Sequence, residues 1–307
     1  MSLRLRLLTL AFSLSIVSHA YGSQPRITPS SLSGMLQQPT VIAIHRDGSG
    51  ILWIGTQQGL HRFDGANLTV FDSDRDNRYW IPDSEIKDIA EDKDGNLLVV
   101  TSVGTLLKLD RHKETFDIVN QYSSDTSDIF RLLVSKRGSI WLLGKDRLIL
   151  YDPKFENTEN SVNNAELVRS IGTLHDFVED ESGILWVGGS LGLARVVPEN
   201  KSFLPYDLET LQLQKSSRIT ALQINSVGNL VIGTDTGQLL VWSVGTSKPL
   251  ANSAIVGNAP HYISNFAPYG DKLIIATDRG LFASDNLLSS MENLSLHGKG
   301  LSNPDIF

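Results

Sequence analysis

The chain has 307 residues, 41% of them hydrophobic and 20% charged, a balance that supplies a buried core and excludes disordered and fibrous classes. Its formal net charge of −7 argues against nucleic acid as a partner. The absence of cysteine excludes a disulfide framework, a thiolate metal site and anchoring through a lipidated N-terminal cysteine.

The first predicted element is a cleavable signal peptide over residues 1–20. Arg4 and Arg6 make a basic start, Leu7 to Val17 is an apolar run too short to span a bilayer, and Ser18-His19-Ala20 offers small residues for cleavage. Its removal would leave a still more acidic mature chain, placed in the periplasm. Residues 21–34 read as a linker. No later segment reaches 18 consecutive apolar residues, so no transmembrane helix is expected within the chain.

From residue 35 onward the sequence repeats. The first unit opens at Val41, turns at Gly50, continues through Leu52-Trp53-Ile54-Gly55-Thr56, turns again at Gly59 and closes on a strand at Leu68 to Phe71. The second opens at Ile86, turns at Gly95 and Gly104 around Leu97 to Thr101, and closes at Thr115 to Val119. The third opens at Ile129 and runs through Gly138 and Ile140-Trp141-Leu142-Leu143-Gly144, with Arg147 where the other units carry their second glycine. The fourth opens at Leu174, with Gly183, Leu185-Trp186-Val187-Gly188-Gly189 and Gly192; the fifth opens at Ile219, with Gly228, Leu230 to Thr234 and Gly237. The sixth opens at Tyr262, with its first glycine displaced to Gly270, then Leu273 to Thr277 and Gly280. Successive copies lie 43 or 45 residues apart, and with these anchors the first and second strands keep one offset in all six.

Each unit thus reads as strand, glycine turn, strand, glycine turn, strand and a looser fourth strand, the glycines supplying the positive φ of tight turns. The second strand is apolar on consecutive residues, which suits a sheet packed on both faces. Four-stranded units buried on both sides and arranged radially make a β-propeller; a linear β-solenoid is the rival, with shorter rungs. The expected fold is all-β, a propeller of six complete blades over residues 35–307. Gly300 to Ile306 reads as the opening of a seventh, so the sequence is expected to continue beyond Phe307, and the isolated chain to be aggregation-prone through its open edges.

Val41-Ile42-Ala43-Ile44, Asp47, Gly50, Leu52 to Thr56, Gly59-Leu60 and Arg62-Phe63-Asp64-Gly65 together resemble the two-component regulator propeller repeat. The stretches Glu179-Asp180 to Gly192-Leu193 and Ala90-Glu91-Asp92 with Gly95-Asn96-Leu97 fit the same pattern, while copies three, five and six have lost parts of it. The resemblance implies the periplasmic ligand-sensing part of a membrane protein whose cytoplasmic output is a histidine kinase or a diguanylate cyclase. None of those output parts lies in these 307 residues.

By analogy with other propellers, the first strand of each blade lines the central channel. The residues just before the anchors are Thr40, Glu85, Asp128, Thr173, Arg218, His261 and Asp305, polar in every copy, and a polar ring at a channel mouth suits a polar solute, a carbohydrate among the candidates. Solvated turn residues give the same pattern. Lys87, Asp88, Arg131, His175 and Asp176 fall further along the inner strands and suggest a water-filled channel. The longest insertion of the first half, Asp72 to Asp83, carries Arg75, Arg78, Tyr79 and Trp80, a composition found on recognition surfaces, although Trp80 packing over the blade edge is the simpler reading. The recurring pairs Glu91-Asp92 and Glu179-Asp180 read as turn or inter-blade contacts, Trp53, Trp141 and Trp186 as core, and Arg62 with Asp64 as a pair between blades.

A ligand sensor is the leading functional reading for this segment, with no cofactor, metal or catalytic residue expected and a homodimer of the full-length protein open. A periplasmic scaffold for protein partners is the alternative. A propeller lyase or hydrolase ranks lower, because only seven histidines exist and His175 and His261 fall on blades that are not neighbours.

Overall fold

The computed structural model describes residues 35–36, 40–121, 129–151, 162–243, 249–254 and 262–294. The expected signal peptide, linker and seventh-blade opening lie outside these residues, as do Asp128, His261 and Asp305.

The described chain forms six antiparallel sheets in sequence order, a β-propeller. Blade 1 is β1 (Val41–Arg46), β2 (Leu52–Thr56), β3 (Gly59–Phe63) and β4 (Leu68–Phe71); blade 2 is β5 (Ile86–Glu91), β6 (Leu97–Thr101), β7 (Thr105–Asp110) and β8 (Thr115–Gln121). Blade 3 is β9 (Ile129–Val134), β10 (Ile140–Gly144) and β11 (Leu148–Tyr151), three strands among the described residues. Blade 4 is β12 (Leu174–Glu179), β13 (Leu185–Gly189), β14 (Gly192–Val197) and β15 (Ser202–Asp207); blade 5 is β16 (Ile219–Ile224), β17 (Leu230–Thr234), β18 (Gln238–Trp242) and β19 (Pro249–Ala254). Blade 6 is β20 (Ile263–Tyr269), β21 (Lys272–Thr277), β22 (Gly280–Asp285) and β23 (Met291–Asn293).

The second strands explain why the sheets stack. Every residue of β6, β10, β13 and β17 is buried, so these strands bury both faces, one against each neighbouring blade. In the first and sixth blades the strands β2 and β21 keep half-buried positions. Trp53, Trp141 and Trp186 are at most 2% exposed and fill the cores between blades 1 and 2, 3 and 4, and 4 and 5, as core residues the sequence predicts. The glycine of the Trp-Ile-Gly-Thr motif serves close approach: a Cβ on Gly55, Gly188 or Gly233 would lie 2.6, 2.5 and 2.6 Å from Cγ2 of Ile86, Ile219 and Ile263 in the next blade.

That contact corrects the sixth anchor. Ile263, fully buried and paired with Thr277, stands where Ile219 pairs with Thr234, whereas Tyr262 is 46% exposed. The sixth copy is therefore one residue shorter in its first hairpin, where Tyr269 pairs directly with Lys272 around Gly270, and this also explains the displaced glycine. A second correction concerns Gly192, which does not have positive φ: a Cβ there would meet the Tyr206 carbonyl oxygen at 2.2 Å.

One helix was not expected from the repeat. α1 (Asn164–Ile171) joins blades 3 and 4, capped by the Asn163 side chain accepting from the Glu166 amide and by Gly172, with Leu167 and Ile171 buried one turn apart.

Candidate functional site

The inner strands share one irregularity. Each pairs with its second strand through a β-bulge at the residue after the anchor: Ile42, Lys87, Phe130, His175, Thr220 and Ser264. A bulge leaves one residue out of the ladder and re-aims its side chain. Because the inner strands β1–β5, β5–β9, β12–β16 and β16–β20 pack side by side, the bulged residues are brought together around the channel.

Over blades 3 to 6 these residues line a cavity of about 360 Å³, formed by Phe130, His175, Thr220 and Ser264 with Arg131, Asp176, Lys145, Thr173, Leu174 and Tyr262. Asp176 is 4% exposed, and its carboxylate forms an ion pair with Arg131. One oxygen meets Arg131 Nη2 at 2.8 Å, and the other accepts from the Leu222 amide at 2.8 Å in the next blade. Arg131 also has Asp88 of blade 2 at 3.8 Å from its Nε, while Asp88 accepts from the Leu132 and Ile89 amides. One guanidinium thus links aspartates of blades 2 and 4. Burial raises both carboxyls above the usual carboxylate range, opposed by Arg131, and Asp176 in turn raises the Arg131 guanidinium, which stays charged.

His175 is half-buried, and its Nε2 is buried without a hydrogen-bond partner. Burial pushes its pKa down and the Arg218 guanidinium adds to this, so the ring is neutral at pH 7. Arg218 pairs with Asp235 at 2.8 Å. Burial also pushes the Tyr262 hydroxyl up, with Asp235 contributing.

Of the residues singled out from sequence, Arg131, His175 and Asp176 come together in this cavity, with Asp88 behind Arg131 and Arg218 beside His175. Glu85 and Lys87 pair with each other and do not line it. Arg78 and Trp80 also lie elsewhere: their insertion is pinned by fully buried Ile81 and by Tyr79 packed on Phe71 at 5.1 Å, leaving Trp80 38% exposed and the Arg78 side chain 75% exposed. Sequence reasoning missed Phe130, Lys145, Thr220, Tyr262 and Ser264. Phe130, Thr220 and Ser264 occupy the same repeat position as Lys87 and His175 and were passed over for lacking charge; Tyr262 was taken as the sixth strand anchor by the one-residue slip.

The acidic pairs have structural duties. Asp47 and Asp180 cap the first-hairpin turn by accepting backbone amides, and each accepts an indole N–H, from Trp53 and Trp186, at 3.0 Å. Glu91 and Glu179 accept the Gly48 and Lys136 amides of the preceding blade, both at 2.7 Å. Arg62 does bond between blades, but to Glu114 at 2.9 Å; Asp64 instead caps its own turn, accepting from the Ala66 and Asn67 amides. No group of three or more potential metal ligands occurs among the described residues.

No family model matches the sequence, and no curated protein does. Among solved structures, the fold is similar to the extracellular domain of BT4673 from B. thetaiotaomicron, described as a hybrid two-component system, with a TM-score of 0.71 at 16% identity over 89% of this chain and 39% of that one. The extracellular domain of the hybrid two-component system BT3049 from the same organism gives 0.67 at 20% identity over 88% and 37%. The WD40 repeats of RRP9 give 0.61 at 11% identity over 83% and 79%. The chain thus spans under two fifths of the two-component sensor domains, and at these identities what is shared is the β-propeller fold.

Proposed function

We propose that this chain is the ligand-sensing propeller of an exported signal-transduction protein, facing the periplasm, non-catalytic itself, and acting on an output domain outside these 307 residues. The observation that carries this reading is the channel cavity, where polar side chains from different blades converge on a space the size of a small polar solute, such as a sugar. The extracellular propellers of the two-component systems support the same direction. Arg131 couples the site to the frame: a ligand that draws on its guanidinium competes with Asp176 and Asp88, and so alters the contact among blades 2, 3 and 4.

The test is a thermal-shift titration of the chain with a panel of mono- and disaccharides. The reading requires a saturable rise in Tm, which at one hundred times Kd corresponds to about 2.7 kcal/mol, and loss of that rise in His175→Ala. A rise that survives His175→Ala and Thr220→Val would place the ligand elsewhere and defeat the assignment.

A further inference from the structure

We infer a second ligand site in this chain, between blades 3 and 4 at the first-hairpin end, which takes a small neutral polyol whose hydroxyl accepts the indole N–H of Trp141. It is independent of the channel cavity.

Comparison of the blades shows what blade 3 lacks. Trp53, Trp141 and Trp186 hold one repeat position, paired with the inner-strand residues His45, Leu133 and Val178. In blades 1 and 4 the indole donates at 3.0 Å to the turn aspartate of the same blade, Asp47 or Asp180. Blade 2 keeps the aspartate, Asp92, but has Leu98 at the tryptophan position, and the Asn96 side-chain amide donates to the carboxylate instead. Blade 5 has Asn225 and Val231 at the two positions. Blade 3 alone sets a tryptophan against a turn residue with no carboxylate, Ser135, whose Oγ accepts the Ser139 amide. Trp141 is 2% exposed, and its N–H meets no acceptor among the described residues. Buried donors are rarely left so.

Room for an acceptor lies beside it. A cavity of about 210 Å³ is lined by Ser135, Arg137, Ser139, Trp141, Glu179 and Glu199 among others. Since about 150 Å³ holds benzene, this volume suits roughly eight non-hydrogen atoms. The lining then selects the class of molecule. The indole N–H requires an oxygen acceptor, the part that Asp47 and Asp180 play in their own blades. A carboxylate there would face two others, Glu179 and Glu199, of which Glu199 is paired with Arg137; a neutral oxygen meets no such repulsion. Glu179 accepts the Lys136 amide through Oε2, while its Oε1 has no hydrogen bond among the described residues and is free to accept one. A hydroxyl does both, accepting from the indole and donating to a carboxylate. Several hydroxyls on a short carbon chain would therefore join Trp141 of blade 3 to the acids of blade 4.

The experiment is two-dimensional NMR of the isotope-labelled chain, read at the tryptophan indole N–H signals, that of Trp141 being the one lost in Trp141→Phe. Erythritol, a neutral polyol of this size, is the probe, and acetate is the anionic control. Erythritol is expected to shift the Trp141 signal saturably. Ser135→Asp is expected to abolish that shift, because it supplies the indole with an acceptor from within, and Glu179→Gln to weaken the affinity about tenfold. His175→Ala, in the channel, is expected to leave it unchanged. No shift at millimolar erythritol would mean that water alone fills the cavity and would overturn the inference. A shift that survives both Ser135→Asp and Glu179→Gln would place the polyol elsewhere, with the same consequence. Acetate binding as tightly as erythritol would overturn the assignment of a neutral ligand.

Discussion

Two sets of polar residues sit at opposite ends of the inner strands, and they follow different rules. At the first-hairpin turns the polar residue recurs with the repeat: Asp47, Asp92, Ser135, Asp180 and Asn225 each accept from backbone amides of their own turn. At the channel end the position is constant but the residue is not: Ala43, Asp88, Arg131, Asp176, Ala221 and Asn265 follow the six bulges. A polar group that recurs at five successive turns is explained by the fold, which must satisfy the same turn amides in each of those blades. One that varies at a fixed position is free of that duty, and there a site can be built.

The comparison is broken most easily at Asp47. Its side chain has no exposure and accepts from Ser49, Ile51, Trp53 and Arg111. Asp47→Ala is expected to cost about 3 kcal/mol, because it strands a buried indole N–H, two turn amides and a guanidinium. Asp180→Ala, which lacks the arginine, should cost about 2 kcal/mol. Urea unfolding measures both; losses under about 0.5 kcal/mol would mean that the repeated acid is ornamental. Gly188→Ala should follow at about 1–3 kcal/mol from overpacking against Ile219. Combined with Ile219→Ala its cost should be less than the sum of the two, which a double-mutant cycle reads directly.

Acid sharpens the same point. Burial alone would raise the Asp47 carboxyl, but the hydrogen bonds from Ser49, Trp53, Arg111 and Ile51 outweigh it and hold the group well below its ordinary value of 3.8. A pKa lower in the folded state than in the unfolded one gives stability that is full above the unfolded value and lost progressively as pH falls from there through the folded value. The wild-type chain should therefore lose more stability than Asp47→Asn between about pH 5 and pH 2. Parallel curves for the two would contradict the assignment.

Blade 3 tests the turn rule by its exception. Ser135 replaces the aspartate, Trp141 forms no indole hydrogen bond among the described residues, and a cavity of about 210 Å³ opens beside them. The charge is exchanged as well: Arg111 reaches Asp47 between blades 1 and 2, whereas Arg137 of the blade 3 turn reaches Glu199 between blades 3 and 4. Ser135→Asp should restore the indole acceptor and raise stability by about 1 kcal/mol; no gain in the urea midpoint would show that Arg137 and Glu199 have already replaced that bond.

The frame was legible because it is periodic. Glycines, anchors and buried tryptophans repeat, and the doubly apolar second strands announce sheets packed on both faces. The sixth anchor was misplaced because a shortened turn leaves the glycine count intact while shifting the register by one, which the Gly233 to Ile263 contact and the Ile263–Thr277 pairing reveal. Helix α1 lies between repeats, yet Asn163, Glu166, Leu167, Ile171 and Gly172 carry a cap, a buried stripe and a stop that a search by helical period would have found. Half the cavity escaped notice because a search for charge does not see Phe130, Thr220 or Ser264, and a bulge common to all blades leaves no mark in composition.

The smallest effect on stability is expected where the effect on function is largest. The buried Nε2 of His175 has no protein partner, so removing the ring discards a polar group that was never satisfied, and the lost packing is that of a half-buried side chain. His175→Ala should change stability by no more than about 0.5 kcal/mol, since deleting an unsatisfied group forfeits no hydrogen bond. The same substitution at the channel mouth removes a contact on which the proposed ligand depends. Urea unfolding without ligand and titration with it separate the two quantities: unchanged stability with lost binding marks His175 as a site residue, whereas a loss of about 2 kcal/mol or more would return it to the frame alongside Asp47.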